Sequence, residues 1–217
     1  MITQLAANPL LFILSLVGLL VAVTIHEFSH AYVADRLGDP TPRLQGRLTL
    51  NPRSHLDLMG VLFLLLFGFG WGKPVQFDPF NLKHPRQDAA LISLAGPVSN
   101  FILALICSIF IRTIIFLHLS FLQTIGFLLL PPVLSLNVIL GVFNLLPIHP
   151  LDGFKIVGGL LPRERAREWY ELERYGLLFL LILILPLGQS SMLDAVIRPA
   201  VNFILQLLLP VNIGGVV

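Results

Sequence analysis

Charge is scarce in this 217-residue chain: Asp, Glu, Lys and Arg make up 12% of it, against roughly 25% in an average soluble domain. That deficit excludes a freestanding soluble globule, and it excludes a disordered chain, which needs charge and polarity to stay solvated. Cysteine is nearly absent. The one cysteine, Cys107, sits in an apolar run, so it makes no intramolecular disulfide and reads as a small buried hydrophobe. Basic clusters are missing as well: the net charge is +2, and the arginines are scattered without interleaved aromatics, which excludes a nucleic-acid surface. Internal repeats and low-complexity linkers are lacking, and no stretch is long enough to fold as a separate soluble module. Apolar residues, by contrast, reach 56%, and the mean hydropathy is +0.87. The lipid bilayer is therefore the partner that composition names first, and residues 1–217 read as a single membrane-embedded domain.

The apolar residues fall into long runs. Residues 10–25 continue without interruption into His26, and residues 1–9 hold no Lys or Arg and no small-residue exit, so the segment predicts a retained membrane helix over 9–34 rather than a cleaved signal. Residues 89–111 and 123–146 are each long enough to span, the latter with two prolines, Pro131 and Pro132, inside it. Residues 58–71 are apolar but short and punctuated by glycine. A polar interval of alternating Arg and Glu at 162–174 precedes two further apolar stretches, 175–187 and 192–210, which predict a helical hairpin turning at 188–191. Residues 43–51 and 75–81 show short alternation with prolines and asparagines, and predict small strands or loops at the membrane surface.

Ionisable groups inside an apolar helix are costly, so each one there is a functional hypothesis. His26-Glu27-Phe28-Ser29-His30 is one such group. His26 and His30, four apart, share a helical face and can direct two imidazole nitrogens at one metal ion. Glu27 is offset from them, which puts a carboxylate beside the ion rather than on it, where it can take a proton from water. Two histidines leave tetrahedral zinc one protein ligand short if a position stays open. Asp57, Asp78 and Asp88 lie in polar stretches and read as solvated; His55, His84, His118 and His149 read as interfacial. Asp152 stands apart: it sits in Asn144-Leu145-Leu146-Pro147-Ile148-His149-Pro150-Leu151-Asp152-Gly153, an irregular run that is tolerated at membrane depth only where it lines a cavity.

The two motifs meet only at one depth. Both follow the C-terminal ends of apolar segments, so those helices must run in the same direction with one crossing between them. That count favours residues 58–71 dipping in and returning over a short tilted span. With that dip, Arg36, Arg43, Arg47, Arg53, Lys73, Lys83, Arg86, Lys155 and the arginines at 163–174 share one side, and little beyond Arg112 and Arg198 lies on the other. The positive-inside rule makes the crowded side cytoplasmic.

These residues resemble the site-2 protease family of intramembrane zinc metalloproteases, in its small form without an inserted PDZ domain. The resemblance covers most of the chain and rests on His26 through Ala31, Asn51-Pro52 with His55 and Asp57, Gly72-Lys73-Pro74-Val75, Ala95-Gly96-Pro97-Val98-Ser99-Asn100, and Asn144 through Gly153. It implies an all-α polytopic membrane protein with a three-helix catalytic core, to which this sequence adds the re-entrant segment, the small surface strands and the C-terminal hairpin. It further implies one Zn2+ per chain held by His26, His30 and Asp152, with Glu27 as general base and with Asn100 and Asn144 lining the substrate.

The function this predicts is hydrolysis of a peptide bond within or beside a transmembrane segment of another protein, at a multi-pass cell-membrane enzyme whose site faces the cytoplasm. Residues 43–81 are the predicted platform for an unwound substrate, offering an edge for pairing. The competing reading is a zinc-stabilised membrane scaffold or adaptor that binds helices without cutting them. A metal transporter fits less well, because it needs polar groups along a whole path and here they gather near one face.

Overall fold

The computed structural model describes residues 8–67, 70–185 and 191–210. Three of its helices are long and apolar enough to cross a membrane: α1 (Pro9–Arg36), α4 (Pro85–Phe116) and α5 (Ser120–Asn144). Local chemistry sets their ends. Asn8 accepts from the Leu11 amide at 3.0 Å and Pro9 opens the first turn of α1. At the start of α4 the Asp88 carboxylate accepts from the His84 amide at 2.8 Å. Pro147 and Pro150 follow the end of α5, and the chain resumes helix only at α6 (Asp152–Leu160).

The spans pack as a three-helix core. Small residues let backbones approach: a Cβ on Gly18 of α1 would sit 3.3 Å from the Val133 Cα of α5. His30 against Ile92 and Ala22 against Asn100 set α1 and α4 antiparallel. Gly18 against Val133, with His26 against Asp152 beyond, runs the first and third spans in the same direction. An apolar cluster of Ala104, Cys107, Ile111, Leu134 and Val138 seals α4 to α5, so Cys107 is indeed a buried hydrophobe. Val201 and Leu209 extend that cluster to α9 (Met192–Leu208), whose first turn is closed by a Ser191–Asp194 capping box. Arg112 and Ser108 of α4 hold the last carbonyls of α9, at Leu207 and Leu208. The hairpin partner of α9 is α8 (Glu173–Ile184), preceded by the short charged α7 (Arg163–Glu171); of their predicted turn, residues 188–190 lie outside the described residues.

The short apolar segment forms α3 (Leu58–Phe67), capped by Asp57, whose Oδ1 accepts from the Gly60 amide at 2.8 Å. Its two ends meet. Leu56 bridges Gly72, and the Lys73 amide donates to the His55 carbonyl at 2.8 Å. A Cβ on Gly60 would lie 2.0 Å from the Trp71 carbonyl oxygen, so only glycine permits this return.

The small surface strands are replaced. Among the described residues there is no strand, and residues 43–51 and 75–81 form turns and irregular chain around α2 (Thr41–Leu44) and two single 3-10 turns. The prolines at 42, 52, 74 and 79 remove donors a ladder would need, and two side chains take the backbone groups instead. Asp39, fully buried, accepts from the Thr41 amide and hydroxyl, the Asn81 amide group and the Asp78 backbone. Arg47, also buried, donates to the Ser54 and Pro74 carbonyls.

Candidate metal centre

The helical stretch around His26 and His30 puts both imidazoles on the face of α1 that packs against α4, with ring centroids 4.6 Å apart and planes perpendicular. Each ring is anchored through Nδ1. His30 Nδ1 donates to the Ile92 carbonyl at 2.6 Å, and His26 Nδ1 lies 2.6 Å from Asn100 Oδ1. The Asn100 amide donates to the Ala22 carbonyl at 3.1 Å and to Asn137 Oδ1 at 2.8 Å, so its oxygen is the atom that faces His26. Both Nδ1 atoms thus carry the proton and both Nε2 lone pairs point inward.

Asp152 completes the cluster from the far end of the chain. It is the first residue of α6, positioned by the Pro147–Leu151 turn, and its Oδ2 lies 3.0 Å from His26 Nε2 and 3.3 Å from His30 Nε2. A ligand atom from each of the three residues lies within 4.8 Å of the other two.

This donor set fits a zinc ion. The buried Asp152 Oδ2 has no hydrogen-bond donor of its own, and two neutral imidazoles with one carboxylate are ligands zinc takes, with a coordination position to spare. The space beside them is kept by Gly96, where a Cβ would come within 2.5 Å of His30 Nε2 and 2.6 Å of His26 Cε1.

Glu27 is half-buried and does not join the triad. Its Oε2 accepts from the Val75 amide at 2.9 Å, and the chain at Gly72 passes near its other oxygen. The segment returning from α3 therefore lies against the carboxylate.

The other residues singled out in the sequence fall in several places. Asn144 is half-buried at the last turn of α5, its amide donating to the Leu140 carbonyl at 3.0 Å. Asn100 is fully buried, and its side chain bonds His26, Ala22 and Asn137. His55, read as interfacial, is fully buried too, with Nε2 on the Thr49 carbonyl at 2.8 Å. Asp88 is buried as the α4 cap, and Asp78 caps the turn at Phe80. His149 packs edge-on against Phe154 and lies 3.6 Å from Glu173. Sequence reasoning missed Asn137 and the reason for Gly96; an asparagine in the middle of a membrane span is itself costly and was the available signal for the former.

Comparison with known proteins identifies the family. The model of peptidase family M50 matches residues 14–131 and 113–185. YwhC of Bacillus subtilis, named as a zinc metalloprotease, is 40% identical over 79% of this chain and 80% of its own. Rip2 of Mycobacterium tuberculosis, likewise named, is 34% identical over 80% of this chain and 67% of its own. The zinc metalloprotease MJ0392 of Methanocaldococcus jannaschii is 26% identical over 72% of this chain and 37% of its own. No solved structure matches. The family model runs through both the helix that carries His26 and His30 and the segment that carries Asp152; on that footing the chain belongs to peptidase family M50, and it is a zinc metalloprotease housed in a membrane.

Proposed function

We propose that this protein is an intramembrane endopeptidase that cuts a peptide bond within or beside a transmembrane segment of another membrane protein. The observation that carries the reading is the convergence of His26 Nε2, His30 Nε2 and Asp152 Oδ2 between the first span and the chain that leaves the third. A hydrolytic centre built there serves substrates that enter from the bilayer.

His26, His30 and Asp152 would hold the zinc, which when bound would supply Lewis acidity toward water and toward the scissile carbonyl. Glu27, adjacent to His26 and outside the ligand set, takes the proton from the attacking water and returns it to the leaving amine. The Val75 amide fixes the Glu27 carboxylate at one oxygen and leaves the other for proton transfer. A substrate helix hides its carbonyls in its own hydrogen bonds, so it must unwind to react. Asn144, at the mouth of the loop that delivers Asp152, is placed to hold such an unwound segment. The Gly72–Gln76 chain beside Glu27 is the wall it would run along, although Val75 N–H, Lys73 N–H and the Pro74 carbonyl are already bonded internally. The lopsided distribution of Lys and Arg supports a site open to the cytoplasm.

The test needs no known substrate at first. Zinc content of the purified wild type should be about one per chain, lost in His26→Ala and reduced in Asp152→Ala. Glu27→Gln should keep the metal and abolish cleavage, so membrane proteins trapped by it and cut by the wild type in the same host identify substrates. A wild type that takes up no zinc, or a Glu27→Gln variant whose cells show an unchanged pattern of cleaved membrane proteins, defeats the reading.

A further inference from the structure

Asn137 lies on α5, has no exposed surface, and hydrogen-bonds to Asn100 and Val133 rather than to Glu27 or the three metal-centre residues. Its amide donates to the Val133 carbonyl one turn earlier at 2.8 Å, and its Oδ1 accepts from the Asn100 amide, also at 2.8 Å. Asn100, equally buried, donates a second time to the Ala22 carbonyl and offers its oxygen to His26 Nδ1. The result is a connected set of buried polar groups that runs from α5 through Asn100 of α4 to α1.

That set has a single permitted polarity. Backbone carbonyls only accept, so Val133 compels Asn137 to turn its NH2 toward α5 and its oxygen toward α4. Asn100 then meets acceptors at Asn137 and Ala22, and both demand its NH2. Its oxygen is left for His26, whose Nδ1 must carry the proton. Reversing either amide would set NH2 against NH2, or oxygen against a carbonyl, in a buried site where each unmatched group is costly. We infer that Asn137 is a positioning residue for the metal: acting through Asn100, it fixes the tautomer and ring orientation that present the His26 Nε2 lone pair to zinc.

The inference rests on His26 being a zinc ligand. It adds that the ligand is set by the third span as well as by its neighbour, so zinc affinity depends on how α5 sits against α4. Supporting groups of this kind are worth about 10–100-fold in metal affinity. Ser135 provides an internal control, because it is buried on the same helix two residues away and its Oγ has no partner.

The experiment is zinc affinity by chelator competition on full-length protein in detergent, with the visible spectrum of the Co2+-loaded form as a second readout and melting of the zinc-free protein as a third. Asn137→Val and Asn137→Ser should each weaken zinc by about 10–100-fold and shift the Co2+ spectrum, and Ser135→Ala should change neither. Zinc-free melting separates the roles: a merely structural Asn137 would lower it and leave the affinity of the folded fraction alone. Should the valine variant not fold, the serine variant, which is too short to reach Asn100, decides. Affinity within about twofold of wild type in any folded Asn137 variant overturns the inference, whereas absence of zinc from the wild type overturns the site assignment beneath it.

Discussion

At the scale of single residues, the metal centre depends as much on atoms that are missing as on ligands. Gly96 leaves room for two imidazoles, and a methyl group there would press on both rings at about 2.5 Å. Gly96→Ala should therefore displace His30 and His26 and weaken zinc at least tenfold, read by the same chelator competition, while the secondary structure seen by circular dichroism stays unchanged. The candidate ligands that the structure brings together were legible in the sequence, because a His-Glu-x-x-His inside an apolar run and an aspartate inside a proline-broken run have no cheap structural explanation. What was not legible is which asparagine does what. Asn100 and Asn137 are 37 positions apart and meet only through the crossing of α4 and α5, so no local spacing relates them. The family resemblance implies a substrate role for Asn100; in the structure its side chain bonds His26, Ala22 and Asn137.

At the scale of elements, the segment between the first two spans is organised by two buried side chains rather than by a sheet. Burial alone would raise the Asp39 carboxyl, but donors from Thr41, Asn81 and the Asp78 backbone outweigh it and hold the group below its ordinary value of 3.8. A depressed folded value means that Asp39 stabilises the fold above about pH 4 and that this contribution is lost as the pH falls through the lower folded value. Melting temperature followed from pH 7 to pH 3 should show Asp39→Asn less stable than wild type at pH 7 and the gap narrowing toward pH 3. The return of α3 makes a second prediction. Gly60→Ala drives a methyl into the Trp71 carbonyl, an overpacking cost of about 1–3 kcal/mol, and should part the two ends of the hairpin. Because the same chain carries Val75 to Glu27, cleavage should fall well beyond any change in zinc content, as a paired activity and metal assay would show. The three long helices and the short apolar one were readable from run length, and their ends from prolines and caps. The predicted strands failed because alternation over a few residues says nothing about a distant Asp39 or Arg47 competing for the same backbone groups.

At the scale of the whole molecule, the ligand geometry constrains topology. His26 and Asp152 meet only if one span separates α1 from α5, and α4 is that span. The exposed Phe80 and the turn at His118 then lie on opposite faces of the membrane. With Cys107 replaced by alanine, a cysteine placed at Phe80 should react with a membrane-impermeant maleimide only after spheroplasts are opened, and one placed at His118 should react in intact spheroplasts. The reverse pattern would put the site on the outer face.

The distance along the chain between the two imidazoles and the carboxylate also matters in time. A ribosome delivers His26, Glu27 and His30 with the first span, but Asp152 emerges only after the third. Until then the half-made chain holds Glu27 and two of the three candidate ligands. The three candidate ligands therefore come together only late in synthesis, once the third span has been made.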